Sequence, residues 1–507
     1  MNAGAGRMVG TGRRLRAEGG EGESGMTEAG CVGDTIVGIS TTIGIGAVGI
    51  VRVSGPDALR LAEAAFRASG NRAIQAEETF SLLYGHVVEP ESGQAIDEVL
   101  LAIMRRPCSY TREDVIEFQC HGGHVAVRAV LGLMVRLGAR VAEPGEFTLR
   151  AFLNGRIDLA QAESVAGIIA ARSSAALRAS VRRLDGGLSD LVRGARGELV
   201  GLLARIEATV DFAEEEVDEV DWGSLRERLT GVEEVLARLL DTAFVGRVLE
   251  QGVRTAIVGR PNVGKSSLLN ALAMRERAIV SEIPGTTRDT VEEQMEIGGM
   301  PICLVDTAGL RTGLDRVERM GVERSLRAME QADLVLAVVD LGAQWEEEDL
   351  IPLRELETKR LIVVGNKSDL VDDGAGRLKA LLNGVDEEMH LCCERRGAQS
   401  AGRKTCVVSA LTGEGIDELR SVIQETVLGE EGIHLEEPVL ANERQRSLIS
   451  EAGESVSAAL SGLSVGKGEE LVCEDIRRAA GALGKITGEE LLPDLLDEIF
   501  SRFCLGK

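Results

Sequence analysis

Gly259-Arg260-Pro261-Asn262-Val263-Gly264-Lys265-Ser266 is the stretch on which the fold turns. Its glycines let successive backbone N–H groups curl around phosphate oxygens, and a helix starting near Ser266 points its positive end at the same anion. The apolar run 255–258 just before it reads as a buried parallel strand. Strand, glycine-rich turn and helix in that order predict a P-loop. Lys265 would reach the β- and γ-phosphates, the Ser266 hydroxyl would ligate Mg²⁺, and Val263, Gly264 and Ser267 belong to the same cradle.

Three further segments follow in order. Asp306-Thr307-Ala308-Gly309 succeeds the apolar run 302–305; Asp306 can hold Mg²⁺ through water while the Gly309 N–H meets the γ-phosphate. Asn366-Lys367-Ser368-Asp369 succeeds the run 361–364. A carboxylate facing the N1–H and N2–H₂ edge of guanine accepts two charge-assisted bonds that adenine cannot supply, each worth roughly 1.5–3 kcal/mol. Ser409-Ala410 completes the set. Any one of these segments alone is an ordinary loop; their succession after three predicted strands predicts a GTP/GDP site.

The 507-residue chain as a whole bounds the class. Its length predicts two to four domains, and 44% hydrophobic residues with a mean hydropathy of +0.03 predict globular ones. No apolar run approaches the roughly 18 residues of a membrane span. With 82 acidic against 57 basic residues the net charge is −25, which argues against a broad nucleic-acid footprint and leaves RNA contact local or shared with a partner. Nine cysteines without a CxxC pair, and no secretory apolar segment, fit a reduced, cytoplasmic setting. Residues 1–33 are Gly- and Arg-rich without periodicity; Glu18, Glu21, Glu23 and Glu28 are wrong for a transit peptide, so a disordered extension, or a start codon placed too far upstream of Met26, is expected.

Residues 34–152 mix β-branched runs (35–39, 49–53, 99–104, 115–119) with helical stretches (57–67, 124–137), an α+β pattern. Residues 153–251 turn to amphipathic helix: Leu159, Ala162, Val165, Ile168 and Ile169 share a face, and 184–210 continues the theme. After an acidic break at 213–221, Ser224 and Glu227 form a capping-box pattern before Leu225, Leu229, Val232, Leu236 and Leu239. The nucleotide pattern occupies 252–429, with a polar surface loop expected at 382–404. Helical texture returns over 430–507, in runs 443–463, 469–483 and 491–503. The expected architecture is therefore α/β and α: a doubly wound P-loop GTPase domain inserted into a discontinuous helical domain, preceded by an α+β domain.

Several marks outside the nucleotide motifs name a family. They are Asp34-Thr35-Ile36-Val37, Pro144-Gly145-Glu146-Phe147, Ala151-Phe152-Leu153-Asn154, Asp158-Leu159-Ala160-Gln161-Ala162-Glu163, Gly285-Thr286-Thr287-Arg288-Asp289 and the terminal Phe503-Cys504-Leu505-Gly506-Lys507. With them the chain resembles the MnmE (TrmE) family of tRNA-modification GTPases from Asp34 to its end. The resemblance implies a homodimer joined through an N-terminal domain that binds a 5-formyl- or methylene-tetrahydrofolate. It also implies an FAD-protein partner, MnmG, in a heterotetramer that adds aminomethyl or carboxymethylaminomethyl groups at C5 of the wobble uridine (position 34) of certain tRNAs. Folate contacts transfer to Arg52, Glu117, Arg156 and Lys507; Arg156 stands where the family also has Lys, which keeps the charge but changes its geometry. Glu117 can accept from a pterin's amino-pyrimidine edge, and the cations suit glutamate carboxylates. Cys504, in the terminal motif, is a candidate site residue without assigned chemistry. Cys120-His121-Gly122-Gly123-His124 lacks companion ligands, and its glycines suggest backbone packing rather than zinc.

Leu310 stands where Ras-like enzymes place a water-orienting Gln, and Arg288 and Arg311 lie near the switches without a defined role. The family resemblance supplies the alternative: K⁺ held by Asn262 and by Ser281, Ile283 and Thr286 of the switch Ser281-Glu282-Ile283-Pro284-Gly285-Thr286-Thr287. Thr287 completes the Mg²⁺ shell and Glu318 orients water through a second water. Competing expectations are an Era-like ribosome-assembly GTPase and a nucleotide-switched interaction protein; the acidic charge and lack of a basic amphipathic anchor weigh against a membrane-bound form of the latter.

Overall fold

The computed structural model describes residues 33–42, 44–70, 72–211, 221–273, 294–304, 329–346, 349, 360–393, 404–429, 438–465, 468–490, 496, 499–501, 503 and 506. They form two units. The first takes in the described residues up to Arg150 together with Gly506, which the sequence assigns to the far helical segment; the second takes in the others.

In the first unit, alternating apolar residues build a seven-stranded sheet. Its strands are β1 (Ile36–Ile39), β2 (Val48–Ser54), β3 (Phe66–Ala68), β4 (Ser81–Val88), β5 (Ala95–Met104), β6 (Val115–His121) and β7 (Arg140–Val141). Their order is β3-β4-β5-β6-β2-β1-β7, antiparallel throughout except β1–β7. Val51, Val53, Ile116 and Phe118 face α1 (Ala58–Ala65) and α2 (His124–Arg136) in one core. The two-residue period therefore puts Arg52 and Glu117 on the opposite face. The register pairs Gly38 with Arg52 and Arg52 with Glu117, so the three make one row across the sheet. The helix expected over 57–67 stops at Ala65, because Phe66 adopts extended backbone and joins β4.

α3 (Glu146–Leu153) sets Phe147 in a small core with Ile36, Ala142 and Tyr110. Arg150, 5% exposed, anchors α3 by pairing with Asp34, Glu113 and Glu146.

The second unit holds α4 (Leu159–Ala170), α5 (Ser174–Leu184), α6 (Gly187–Asp211), α7 (Trp222–Asp241) and α8 (Ala243–Gln251). Asp158 and Gln161 exchange side-chain and backbone bonds of 2.9 Å in a capping box that starts α4. The 184–210 run is broken at Gly186, whose φ is +100°, so α6 begins at Gly187. The cap of α7 is Asp221 rather than Ser224: its carboxylate accepts the N–H groups of Gly223 and Ser224, so the helix starts at Trp222. Leu225, Leu229, Val232, Leu236 and Leu239 are buried as their spacing predicts.

The nucleotide domain follows with β8 (Val253–Val258), α9 (Lys265–Ala273), β9 (Gln294–Ile297), β10 (Met300–Leu304), β11 (Leu334–Asp340), β12 (Arg360–Asn366), α10 (Gly374–Cys393), β13 (Lys404–Val407) and α11 (Ile416–Leu428). Sheet order is β13-β12-β11-β8-β10-β9, parallel except the edge strand β9. α10 continues through Cys393, where a loop from residue 382 was expected; Leu, Glu and Met there are strong helix formers. α12 (Glu443–Val465) and α13 (Glu469–Thr487) follow, while most of 491–503 lies outside the described residues.

One core combines Leu188, Leu199, Leu229 and Leu236 with Ile449, Val456, Ile476 and Leu483, so the chain segments on either side of the nucleotide domain fold together. Glu163 fastens the two, accepting from Arg444 Nε and Nη2 at 2.8 Å and from Gln445 Nε2 at 2.6 Å. No described helix is long and apolar enough to cross a membrane.

Candidate functional site

The P-loop leaves β8 and enters α9 at Lys265. Asn262 takes a left-handed φ of +67° and Gly264 one of +97°. Only glycine fits at 264, because a Cβ would lie 2.2 Å from Asn366 Nδ2. Lys265 Nζ donates to the carbonyls of Gly259 and Arg260, both at 2.7 Å. An ammonium has three N–H groups, so one is left for a phosphate oxygen. Burial pushes the Lys265 pKa below its ordinary value, a cost that an adjacent phosphate offsets. Ser266 and Ser267 occupy the exposed first turn of α9.

β12 delivers Asn366 to the same place. Its side chain, 1% exposed, donates from Nδ2 to Val263 O at 2.8 Å and accepts the Ala410 N–H on Oδ1 at 3.0 Å. Asn366 thereby joins the P-loop to the Ser409-Ala410 turn. Ser409 Oγ donates to Asp369 Oδ1 at 2.5 Å and accepts the Thr412 N–H at 3.2 Å. This orients the exposed Asp369 carboxylate, which retains capacity for further donors of the guanine type. Lys367, at φ +64°, pairs with Asp340 at 2.6 Å. Asp340 was missed in the sequence; an acidic residue closing an apolar strand run was the one available signal.

The structure thus brings together Asn262, Val263, Gly264, Lys265, Ser266, Ser267, Asn366, Lys367, Ser368, Asp369, Ser409 and Ala410 at the C-terminal ends of parallel strands, where ligands of open α/β sheets bind. Ser281, Glu282, Ile283, Pro284, Gly285, Thr286, Thr287, Asp306, Thr307, Ala308, Gly309 and Glu318 lie outside the described residues, as do Cys504 and Lys507.

A second constellation sits on the outer face of the N-terminal sheet. Arg52 Nε lies 2.8 Å from Glu117 Oε1, and its guanidinium stands 5.6 Å from the Tyr110 ring centroid and 5.5 Å from that of Phe147. Tyr110 and Phe147 were also missed, because no local pattern ties either ring to Arg52. Gly506 lies against β1 at the edge of this row: Ser40 Oγ donates to its carbonyl at 3.1 Å, and a Cβ on Gly38 would lie 3.5 Å from its Cα. Gly506 therefore touches the Gly38 end of the Gly38–Arg52–Glu117 row. Arg156, in the second unit, is exposed. The Cys120 thiol is pushed up to about 12 by burial and by nearby Asp97, and His121 Nδ1 pairs with Asp97 at 2.7 Å. Among the described residues no cluster of three metal-ligating side chains occurs.

A parallel sheet carrying a phosphate cradle bolted to an Asn-Lys-x-Asp loop defines a P-loop GTPase. The chain matches the MnmE helical domain over residues 159–504 and the N-terminus of GTP-binding protein TrmE over residues 35–156. The tRNA modification GTPase MnmE of Moorella thermoacetica is 45% identical over 477 residues, 94% of this chain and 99% of its own. That of Geobacillus thermodenitrificans is 42% identical over 475 residues, again 94% and 99%. Solved structures similar in part are the G domain of the T. maritima FeoB iron transporter (28% identity, 34% of this chain and 98% of that one, TM-score 0.23) and Era with MgGDPNP and a 16S ribosomal RNA segment (22%, 50% and 90%, 0.24). The chain belongs to the MnmE (TrmE) family and is a GTP hydrolase of tRNA modification.

Proposed function

We propose that this chain is a K⁺-activated GTPase of the cytoplasm that works with an MnmG-like FAD protein to place an aminomethyl or carboxymethylaminomethyl group on C5 of the wobble uridine of certain tRNAs. The observation that carries this reading is the Gly38–Arg52–Glu117 row with Gly506 packed against its Gly38 end, in the same chain as a guanine-type nucleotide site.

The donor set on that row fits a reduced folate. Glu117 accepts from an amino-pyrimidine edge, and Arg52 offers a cation set within about 6 Å of two aromatic rings; for the glutamate tail the family resemblance adds Arg156 and Lys507. The folate supplies the one-carbon unit; the residues bind and orient it. The sheet's outer face also exposes Leu82, Tyr84 and Leu100, apolar surface that a second copy in a homodimer would cover.

At the nucleotide, Lys265 and the α9 N-terminus hold the phosphates, Asn366, Lys367, Asp369 and the Ser409-Ala410 turn hold the base, and Ser266 with Thr287 would hold Mg²⁺, with Asp306 beyond it. Asn262, exposed on the rim of the loop, would hold K⁺ with Ser281, Ile283 and Thr286. These cations supply the positive charge that Leu310 cannot. Glu318 would position water. Cys504 remains a candidate near the folate. The proposed division is an extension at 1–33, a folate and dimer domain at 34–152, a helical domain at 153–251 and 430–507, and the G domain at 252–429.

Calorimetric titration with 5-formyl-tetrahydrofolate tests the reading. Binding by the wild type and its loss in Glu117→Gln are expected. No binding by the wild type would remove the folate assignment.

A further inference from the structure

Arg260 and Lys367 belong to different nucleotide loops, yet one segment outside both loops holds them. β11 ends at Asp340, paired in register with Asn366. Asp340 Oδ2 accepts from Lys367 Nζ at 2.6 Å, and its Oδ1 accepts the Gly342 N–H at 2.8 Å, so both carboxylate oxygens are fixed. The tether holds Lys367 in a left-handed conformation, at φ +64°, that a lysine seldom adopts unaided. A lysine pinned by its ammonium also presents its four-carbon stem as an apolar strip on which a purine face can rest.

The same segment then turns to the P-loop. Gln344 O accepts from Arg260 Nη2 at 3.1 Å, Glu346 Oε1 lies 2.5 Å from Nη1, and Asp349 Oδ2 lies 2.8 Å from Nε. The Asp349 side chain is 1% exposed, and its Oδ2 also accepts the Glu346 N–H at 3.1 Å. Its carboxylate is thus fixed from within the segment before it meets Arg260. The pairing raises the already high Arg260 pKa, chiefly through the bond to Asp349, so the guanidinium stays charged.

We propose that residues 340–346 together with Asp349 form a brace that sets the base-reading loop against the phosphate cradle, with Asp340 as the positioning residue for Lys367 and Asp349 for Arg260. The brace rests on the reading of Asn366, Lys367 and Asp369 as the guanine site. Neither aspartate touches the nucleotide; each acts through a cation. Asp340 therefore governs the base's share of affinity, and Asp349 the phosphates' share.

The test measures the full-length protein's affinity for GDP and, by displacement, for inorganic tripolyphosphate, which has phosphates and no base. Asp340→Asn should weaken GDP about tenfold, as loss of one charge-assisted contact does, and leave tripolyphosphate unchanged. Asp349→Asn should weaken both. In a Lys367→Ala background, Asp340→Asn should have no further effect, a result independent of how well the single variant folds. Equal losses of GDP and tripolyphosphate in Asp340→Asn, undiminished GDP affinity, or additive effects with Lys367→Ala would each overturn the brace. Asp369→Asn serves as the control: GDP affinity unchanged there removes the guanine site, and the brace with it. Affinity lost there but kept in Asp340→Asn removes the brace alone.

Discussion

Gly506 passes so close to Ile39 that a Cβ at 506 would lie 2.0 Å from the Ile39 carbonyl oxygen, and its φ of +92° is one that L-residues avoid. Gly506 is therefore fitted to β1, whose Gly38 is in register with Arg52 of the Arg52–Glu117 pair. Gly506→Ala adds the left-handed penalty of about 1–2 kcal/mol to that clash, so tetrahydrofolate affinity should fall by about tenfold or more. GTP turnover, measured in parallel, should stay near the wild-type rate. Unchanged folate affinity would show that the tail takes no part in the site.

Asp369→Asn should weaken GTP binding and shift preference toward xanthine nucleotide. An amide donates to the xanthine C2 oxygen, whereas a carboxylate cannot. Ser409 Oγ, which now donates to Asp369, can keep its bond to the new carbonyl, so the loop should survive the change. Competition between GDP and XDP for the variant reads the outcome, and undiminished GTP affinity would speak against base reading here.

Acid should weaken the N-terminal unit through Asp34 and Glu146. Burial raises both pKa values, but hydrogen bonds from Arg140 and Arg150 outweigh it, and the net direction is down from ordinary values of 3.8 and 4.5. Groups with depressed folded-state pKa values contribute stability that is present above the unfolded value and lost as pH falls through the folded one. Denaturant melts should therefore be flat from neutrality to about pH 5 and decline below roughly pH 4.5. Arg150→Ala removes the buried cation shared by Asp34, Glu113 and Glu146, leaving Arg140 to hold Asp34 and Glu146 and Ser54 to hold Glu113, and should cost about 3 kcal/mol, with a shallower acid decline. A full-strength acid decline in that variant would assign the pH response elsewhere.

The nucleotide site was legible because its parts are local. A glycine turn between a strand and a helix, and a short loop after a buried strand, each carry their chemistry within eight residues. What stayed hidden was every partner set by tertiary pairing. Asp340 meets Lys367 only because β11 and β12 align in parallel register. Gly506 meets Gly38 across nearly the whole chain, which no local pattern encodes. Local choices between equivalent signals also misled: Asp221 and Ser224 are both good caps, and it is Asp221 that takes the N–H groups.

Hydrolysis should be faster in K⁺ than in Na⁺ at matched ionic strength, by roughly 10²-fold or more if the cation does the work of an arginine finger. A cage of carbonyls favours the less tightly hydrated ion. Asn262→Ala should flatten the K⁺ response while Mg²⁺ dependence persists. Equal rates in the two salts would return attention to Arg288 and Arg311.

The most direct measurement is nucleoside analysis by mass spectrometry of tRNA from a strain lacking this chain. The aminomethyl or carboxymethylaminomethyl substituent at C5 of the wobble uridine should disappear, return with the wild-type chain, and stay absent with Arg52→Ala even though that variant still hydrolyses GTP. Wobble uridines that keep the substituent in the deletion strain would contradict the proposed function.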